Sequence, residues 1–322
     1  MSGIRQRFLA ASSAGAALTS SALHRHGVPR TPSTWPVSAE VRDRLSIRWP
    51  AAYEWAPAGK WVDGLRSALA AQVRVSTVDI EQPYEGMVVL EVKLDDETYQ
   101  VGIDYFDKDR LLDAVLRQCQ LVFKMQYLAD GYGLGQVVPG GYVPGRPYLY
   151  RLLPGLRHLR HRARPRYEVY GRFGAGYAAD TRRAAIDALQ SQHEFRYEGS
   201  LRVLPYASYL REAALSRICI DLPGNGDMCH RLVDYLALGC CVVRPSLRTR
   251  LHVPLEDRLN VRFVDDVESD LVSACAGLLS EPVEAAEMGA AALRYFDAYL
   301  RVDQLAGYYV DRMVAILGRG EG

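Results

Sequence analysis

The chain has 322 residues, enough for two domains of ordinary size. Apolar residues make up 49% and charged residues 24%, the balance of a globular enzyme and not of a fibrous or disordered chain. A net charge of +1 gives no global pull toward nucleic acid or a membrane, so no nucleic-acid partner is expected.

Six cysteines stand at 119, 219, 229, 240, 241 and 275 and form no CxxC pair. They read as buried thiols in a reducing compartment, and a cytoplasmic location is expected. No paired Cys/His spacing supports zinc, and no metal is assigned. Residues 1–22 offer an alternative. Arg5 and Arg7 precede a small-residue stretch from Phe8 to Ala22, but Ser and Gly dilute it as a secretory signal. No stretch approaches transmembrane length.

Ala22 to Pro57 reads as loop because of its five prolines; His24, Arg25 and His26 belong to a docked arm or face an acceptor. Gly59 to Gln72 reads as a helix and Val73 to Ile80 as a strand. Met87 to Leu94 and Thr98 to Ile103 form a hairpin around Asp95-Asp96. Asp109 to Gln120 reads as an amphipathic helix with Leu111, Leu112, Val115 and Leu116 inward. Leu121 to Tyr127 is the next strand. Lys124 within it faces a cleft or snorkels at a sheet edge.

Asp104 and Asp107 end the hairpin's second strand. Carboxylates at a strand end are candidates for the base that takes a hydroxyl proton; capping of the next helix is the competing reading. Asp107-Lys108-Asp109 also has the form of a DxD metal motif, a pattern with many chance matches. The turn-rich Gly131 to Gly135 and Pro139 to Tyr142 lack the strand-before, helix-after context of a dinucleotide fingerprint.

Tyr148 to Pro165 is basic. Leu152, Leu153, Leu156 and Leu159 share one helical face; Arg157, Arg160 and Arg162 share another. Pro154 and Gly155 favour a solvated connector over a membrane-surface helix, and a peripheral membrane contact through 151–166 is the alternative.

Tyr167 to Tyr170 reads as a strand, Gly171 to Gly176 as a glycine loop, and Asp180 or Thr181 starts a helix through Leu189. Strand, glycine loop, helix N-terminus and arginine is an anion-binding layout, with Gly171, Arg172 and either Arg182 or Arg183 as ligands. Phe195 to Glu198 and Pro205 to Leu215 are a strand and a helix. The layout then repeats. Arg217 to Asp221 is a buried strand, Gly224-Asn225-Gly226 a loop, Asp227 an N-cap, and Met228 to Leu238 a helix ended by Gly239. Cys240 to Val243 is a second, parallel strand. Arg231 lies one turn into that helix, with a fork suited to phosphate. Asp234 is a candidate ribose contact or a buried helix partner. Asn260 to Val264 is a strand; Asp270 to Leu279, Val283 to Leu300 and Val302 to Leu317 are helices.

The stretch RICIDLPGNGDMCHRLVDYLALGCCVV resembles the donor-site motif of glycosyltransferase family 90, which includes protein O-glucosyltransferases and capsule-associated xylosyltransferases. Asp221, Arg231 and Gly239 fall on its pattern, while Leu222-Pro223 and a longer Gly-to-Arg spacing depart from it. Gly171-Arg172, Phe263 to Asp266 and Ser269-Asp270-Leu271 are also similar. The resemblance covers roughly the C-terminal half. It implies an α/β, GT-B-like architecture of two Rossmann-like domains facing a cleft, with a nucleoside-diphosphate sugar, expected to be a UDP-sugar, in the second. The expected domains are 1–148 on the acceptor side, a basic linker 149–165, and a nucleotide-sugar domain 166–300. A final helix, 301–322, packs back on the first domain. The expected activity is metal-independent transfer of a sugar to the hydroxyl of an acceptor not named by the sequence. The alternatives are a metal-dependent GT-A-like transferase using Asp107 and Asp109, and a non-catalytic nucleotide-binding or scaffold protein.

Overall fold

A computed structural model describes residues 32–55 and 59–319. The readings for residues 1–22 and for His24, Arg25 and His26 lie outside the described residues. The chain divides into two compact units. Unit 1 takes 1–151, 249–253 and 298–322; unit 2 takes 152–248 and 254–297.

Unit 1 holds a six-stranded mixed sheet. Its strands are β1 (Leu45–Pro50), β2 (Arg74–Val78), β3 (Met87–Leu94), β4 (Glu97–Asp104), β5 (Leu121–Lys124) and β6 (Val137–Pro139), in the order β2-β1-β3-β4-β5-β6. The β3–β4 hairpin turns through Asp95, which adopts φ +55°. Helices α1 (Ala39–Arg44), α2 (Gly59–Ala70) and α3 (Asp113–Gln118) belong here, as does the last helix, α10 (Val302–Leu317). α10 packs on α2 and β5. Alternation along β5 serves both faces. Val122 joins a cluster with Val115 and Cys119 of the α3 segment, and Phe123 stacks on Tyr309 of α10, ring centroids 3.8 Å apart.

Two expectations fail in unit 1. The proline-rich stretch read as loop contains α1 and β1; Leu45, Ile47 and Trp49 alternate into the core. The helix expected from Asp109 begins only at Asp113, with Leu112 at its N-cap and exposed.

Unit 2 begins inside α4 (Leu149–Arg162) and holds a five-stranded sheet, parallel throughout. Its elements are β7 (Tyr167–Arg172), α5 (Ala179–Ser191), β8 (Tyr197–Ser200), α6 (Tyr206–Ala214), β9 (Ser216–Ile220), α7 (His230–Leu238), β10 (Cys241–Pro245), β11 (Arg262–Val264), α8 (Asp270–Ser280) and α9 (Pro282–Tyr295). A π-helical turn, Phe296–Leu300, follows α9. The strand order is β8-β7-β9-β10-β11. Val169, Ile218 and Ile220 face a cluster with Ala185 and Leu189 of α5 and Leu271 of α8. Alternate residues point the other way: Tyr170 hydroxyl reaches Tyr209 carbonyl, and Cys219 Sγ reaches Ala213 carbonyl, both on α6. α6 packs on α7, so α5 and α7 cover opposite faces. This is a doubly wound, Rossmann-like unit whose strand order reverses between β7 and β9.

The basic segment is a helix and not a solvated connector. Arg157 donates to Ala237 carbonyl at 2.9 Å and pairs with Asp297 at 2.8 Å. Arg160 donates to the carbonyls of Gly239 and Ser216, each at 2.8 Å. The contacts to Ala237 and Gly239 meet the C-terminal end of α7, where the helix dipole favours cations.

Candidate functional site

In open parallel sheets, ligands bind beyond the C-terminal strand ends, where the strand order reverses. In unit 2 that place is bounded by the β7–α5 loop (173–178) and the β9–α7 loop (221–229). Neither α5 nor α7 has a side-chain cap at its N-terminus.

Asp221, fully buried just past β9, is the only carboxylate paired with this group among the described residues. Arg231 Nε meets its Oδ1 at 3.0 Å, and Arg244 Nη1 meets its Oδ2 at 2.9 Å. Arg231 also donates to Leu222 carbonyl at 2.6 Å, makes a longer contact with Arg172 carbonyl, and lies over the Phe173 ring at 4.6 Å. Arg182, 4% exposed, comes from α5. Its Nε donates to Pro223 carbonyl at 3.0 Å and its Nη1 to Gly174 carbonyl at 2.6 Å. No ion pair holds Arg182 among the described residues. Its Nη2 has no hydrogen bond there and lies 3.6 Å from where a Cβ on Gly224 would stand. Three guanidinium groups thus lie around one carboxylate, which pairs with two of them, Arg231 and Arg244. Burial, then the charge of Arg231, lower the Arg182 pKa from its usual value. An anion beside Arg182 would relieve both effects.

The structure therefore brings together Arg182, Asp221, Gly224 and Arg231 from the sequence-derived set. Asn225 and Gly226 lie on the same loop. Gly224 N–H is already used, donating to Gly226 carbonyl at 2.9 Å.

Other expected ligands are placed differently. β7 runs two residues past Tyr170, so Gly171 and Arg172 are strand residues and not loop residues. A Cβ on Gly171 would lie 2.7 Å from the Phe173 ring, which makes it a packing glycine. Arg172 is held by Glu212 at 2.7 Å and Glu198 at 2.5 Å, leaving its fork committed. Arg183 is a surface residue paired with Asp180. Asp234 is buried and accepts from the hydroxyl of Tyr206, on α6, at 2.7 Å. Asp227 is not the N-cap: α7 starts two residues later behind Cys229, and Asp227 accepts from Arg248 N–H at 2.7 Å.

Arg244 was missed. Its signal was a lone arginine closing an otherwise apolar strand, Cys240 to Pro245, opposite an Asp at the end of the neighbouring strand.

In unit 1, Asp104 is buried and pairs with the fully buried Lys124, Nζ to Oδ2 at 2.9 Å. The two are direct partners in the β4–β5 ladder. Lys124 also donates to Lys108 carbonyl at 2.5 Å, and Phe106 N–H donates to Asp104 at 3.0 Å. Lys124 thus neither faces a cleft nor snorkels. Burial raises the Asp104 pKa against the pull of Lys124. Asp107, three residues on, is exposed at its surface edge, and desolvation raises its pKa against a hydrogen bond from Tyr142. Of the two candidate bases, Asp107 is accessible and Asp104 is a structural ion-pair partner. Among the described residues no group of three or more His, Cys, Asp or Glu side chains converges on a metal-sized point.

No family model matches the chain, and no curated protein matches it. Five of the six cysteines are buried and all six are free thiols. Among the described residues no helix is long and apolar enough to cross a membrane.

Proposed function

We propose that unit 2 binds the diphosphate of a nucleotide sugar at its strand-order reversal, and that the chain is a metal-independent glycosyltransferase with a GT-B-like arrangement. The observation that carries this reading is the charge count at the reversal: Arg182, Arg231 and Arg244, with Asp221 the only carboxylate paired to them among the described residues. Buried guanidinium groups at helix N-termini are suited to a diphosphate, and they stabilise its charge as it leaves. The family 90 resemblance of 217–243 supports the same donor class, with a UDP-sugar expected.

In this reading Arg182 and Arg231 bind and orient the diphosphate, and the Gly224–Gly226 loop allows it close approach. Arg244 holds Asp221 so that Arg231 keeps its place. Asp107 takes the proton of the acceptor hydroxyl, its pKa raised by desolvation, which makes the carboxylate a stronger base. Mass-spectrometric detection of donor hydrolysis across a panel of nucleotide sugars, in EDTA, tests the whole reading. Turnover only with Mn²⁺ would favour the Asp107/Asp109 metal-dependent alternative instead.

A nucleotide-binding protein without transfer is the second reading. The Asp104–Lys124 ion pair favours it, because it removes one of two candidate bases. Nucleotide binding without turnover of any donor would select it.

A further inference from the structure

Unit 2 has a cavity of about 420 Å³ at the N-terminal ends of its strands, the opposite edge from the arginine group. Ser216 opens β9 there, Pro165 precedes β7, and Gly239 ends α7. Its volume is in the range of small-molecule sites. Leu293 and Ala285 form the accessible apolar wall, with the buried Ile218 and Leu238 behind it, and Ala286 and Ala290 of α9 leave the space open.

The polar lining is one-sided. Arg157, Arg160, His161 and Arg217 line the cavity, and none of its described lining residues is Asp or Glu. Arg157 is neutralised by Asp297. Arg160 is not: its partners are the carbonyls of Gly239, Ser216 and Ala213. The Arg217 side chain makes no ion pair or hydrogen bond among the described residues. Two guanidinium groups without a carboxylate partner beside an apolar wall suit a ligand with an anionic head and an apolar body.

We infer that this cavity binds a single-chain amphipathic anion, its carboxylate or phosphate head against Arg160 and Arg217 and its hydrocarbon against Leu293, Ala285 and the alanines of α9. The site is independent of the nucleotide reading. Arg160 caps α7 through Gly239, so the occupant would lie at the far end of the helix that carries Arg231.

Calorimetric titration of the full chain with monomeric decanoate tests it, beside inorganic phosphate, decyltrimethylammonium and phosphatidylglycerol vesicles. Two variants serve: Arg217→Glu, which reverses the head-group charge, and Ala290→Trp, which fills the space. Thermal melts establish that each is folded. The expected result is 1:1 binding of decanoate, weakened roughly tenfold or more by either variant. Inorganic phosphate and the cationic amphiphile should bind far more weakly. Equal affinity for decanoate in wild type and both folded variants overturns the inference. So does phosphate binding as tightly as decanoate, and so does binding of vesicles with none of monomeric decanoate, which would make the patch a membrane surface.

Discussion

Arg182 and Arg231 reach across the strand-order reversal in opposite directions. Arg182, on the helix after β7, donates to Pro223 in the loop after β9; Arg231, on the helix after β9, reaches Arg172 carbonyl and the Phe173 ring at the end of β7. Each loop is thus fastened by the other loop's helix. The arrangement fixes both guanidinium groups before any ligand arrives, which reduces the ordering cost of binding.

Arg231 is anchored through Asp221, which it shares with Arg244. Asp221→Asn keeps the shape and removes the charge that two guanidinium groups share. Breaking a buried pair in this way costs about 3–5 kcal/mol. The melting temperature should fall by roughly ten degrees or more. Arg183→Ala, on an exposed pair, should leave it within about a degree or two. A thermal melt of both variants checks this.

Asp104 and Asp107 should separate cleanly. Asp104→Asn leaves Lys124 buried without its counter-ion, so the expected outcome is lost stability, again about 3–5 kcal/mol. Asp107→Asn should melt like wild type, bind nucleotide normally and transfer sugar at least roughly a hundredfold slower. Wild-type transfer by Asp107→Asn would remove it as the base.

His252 gives a pH signature within unit 1. It packs against Trp35 and Tyr308, with ring centroids 5.3 and 4.4 Å away, and burial lowers its pKa to about 3, partly offset by the Tyr299 backbone. Between that value and the unfolded value of about 6.5, the unfolded chain binds more protons. Stability from this group is therefore present above about pH 6.5 and is lost as pH falls toward 3. The single-site contribution has a ceiling of about 5 kcal/mol. Melts at pH 7 and pH 5 should differ more for wild type than for His252→Gln; an unchanged difference would contradict the assignment.

Much of this was legible from residue order. The β3–β4 hairpin and the final helix follow directly from alternation and from 3.6-residue spacing. The two glycine loops were legible as a repeated strand–loop–helix pattern. Their meeting at one point was not, because strand order is a property of the sheet and not of either loop. β1 was hidden by the prolines around it, although Leu45, Ile47 and Trp49 alternate. The fates of Arg172 and Lys124 depended on partners 26 and 20 residues away, Glu198 and Asp104. Charge type alone could not separate a committed guanidinium such as Arg172 from an available one such as Arg182. The carboxylates that fold against each arginine do so.

The central claim is that the arginine group at the reversal holds a diphosphate without metal. Its most direct test is calorimetric titration of UDP in EDTA into wild type, Arg182→Ala and Arg183→Ala, with a melt of each. The account predicts binding by wild type and by Arg183→Ala. It predicts a loss of about 1.5–3 kcal/mol, roughly ten- to hundredfold in affinity, for a folded Arg182→Ala. Equal affinity in wild type and Arg182→Ala, or binding by wild type only when Mn²⁺ is present, would contradict it.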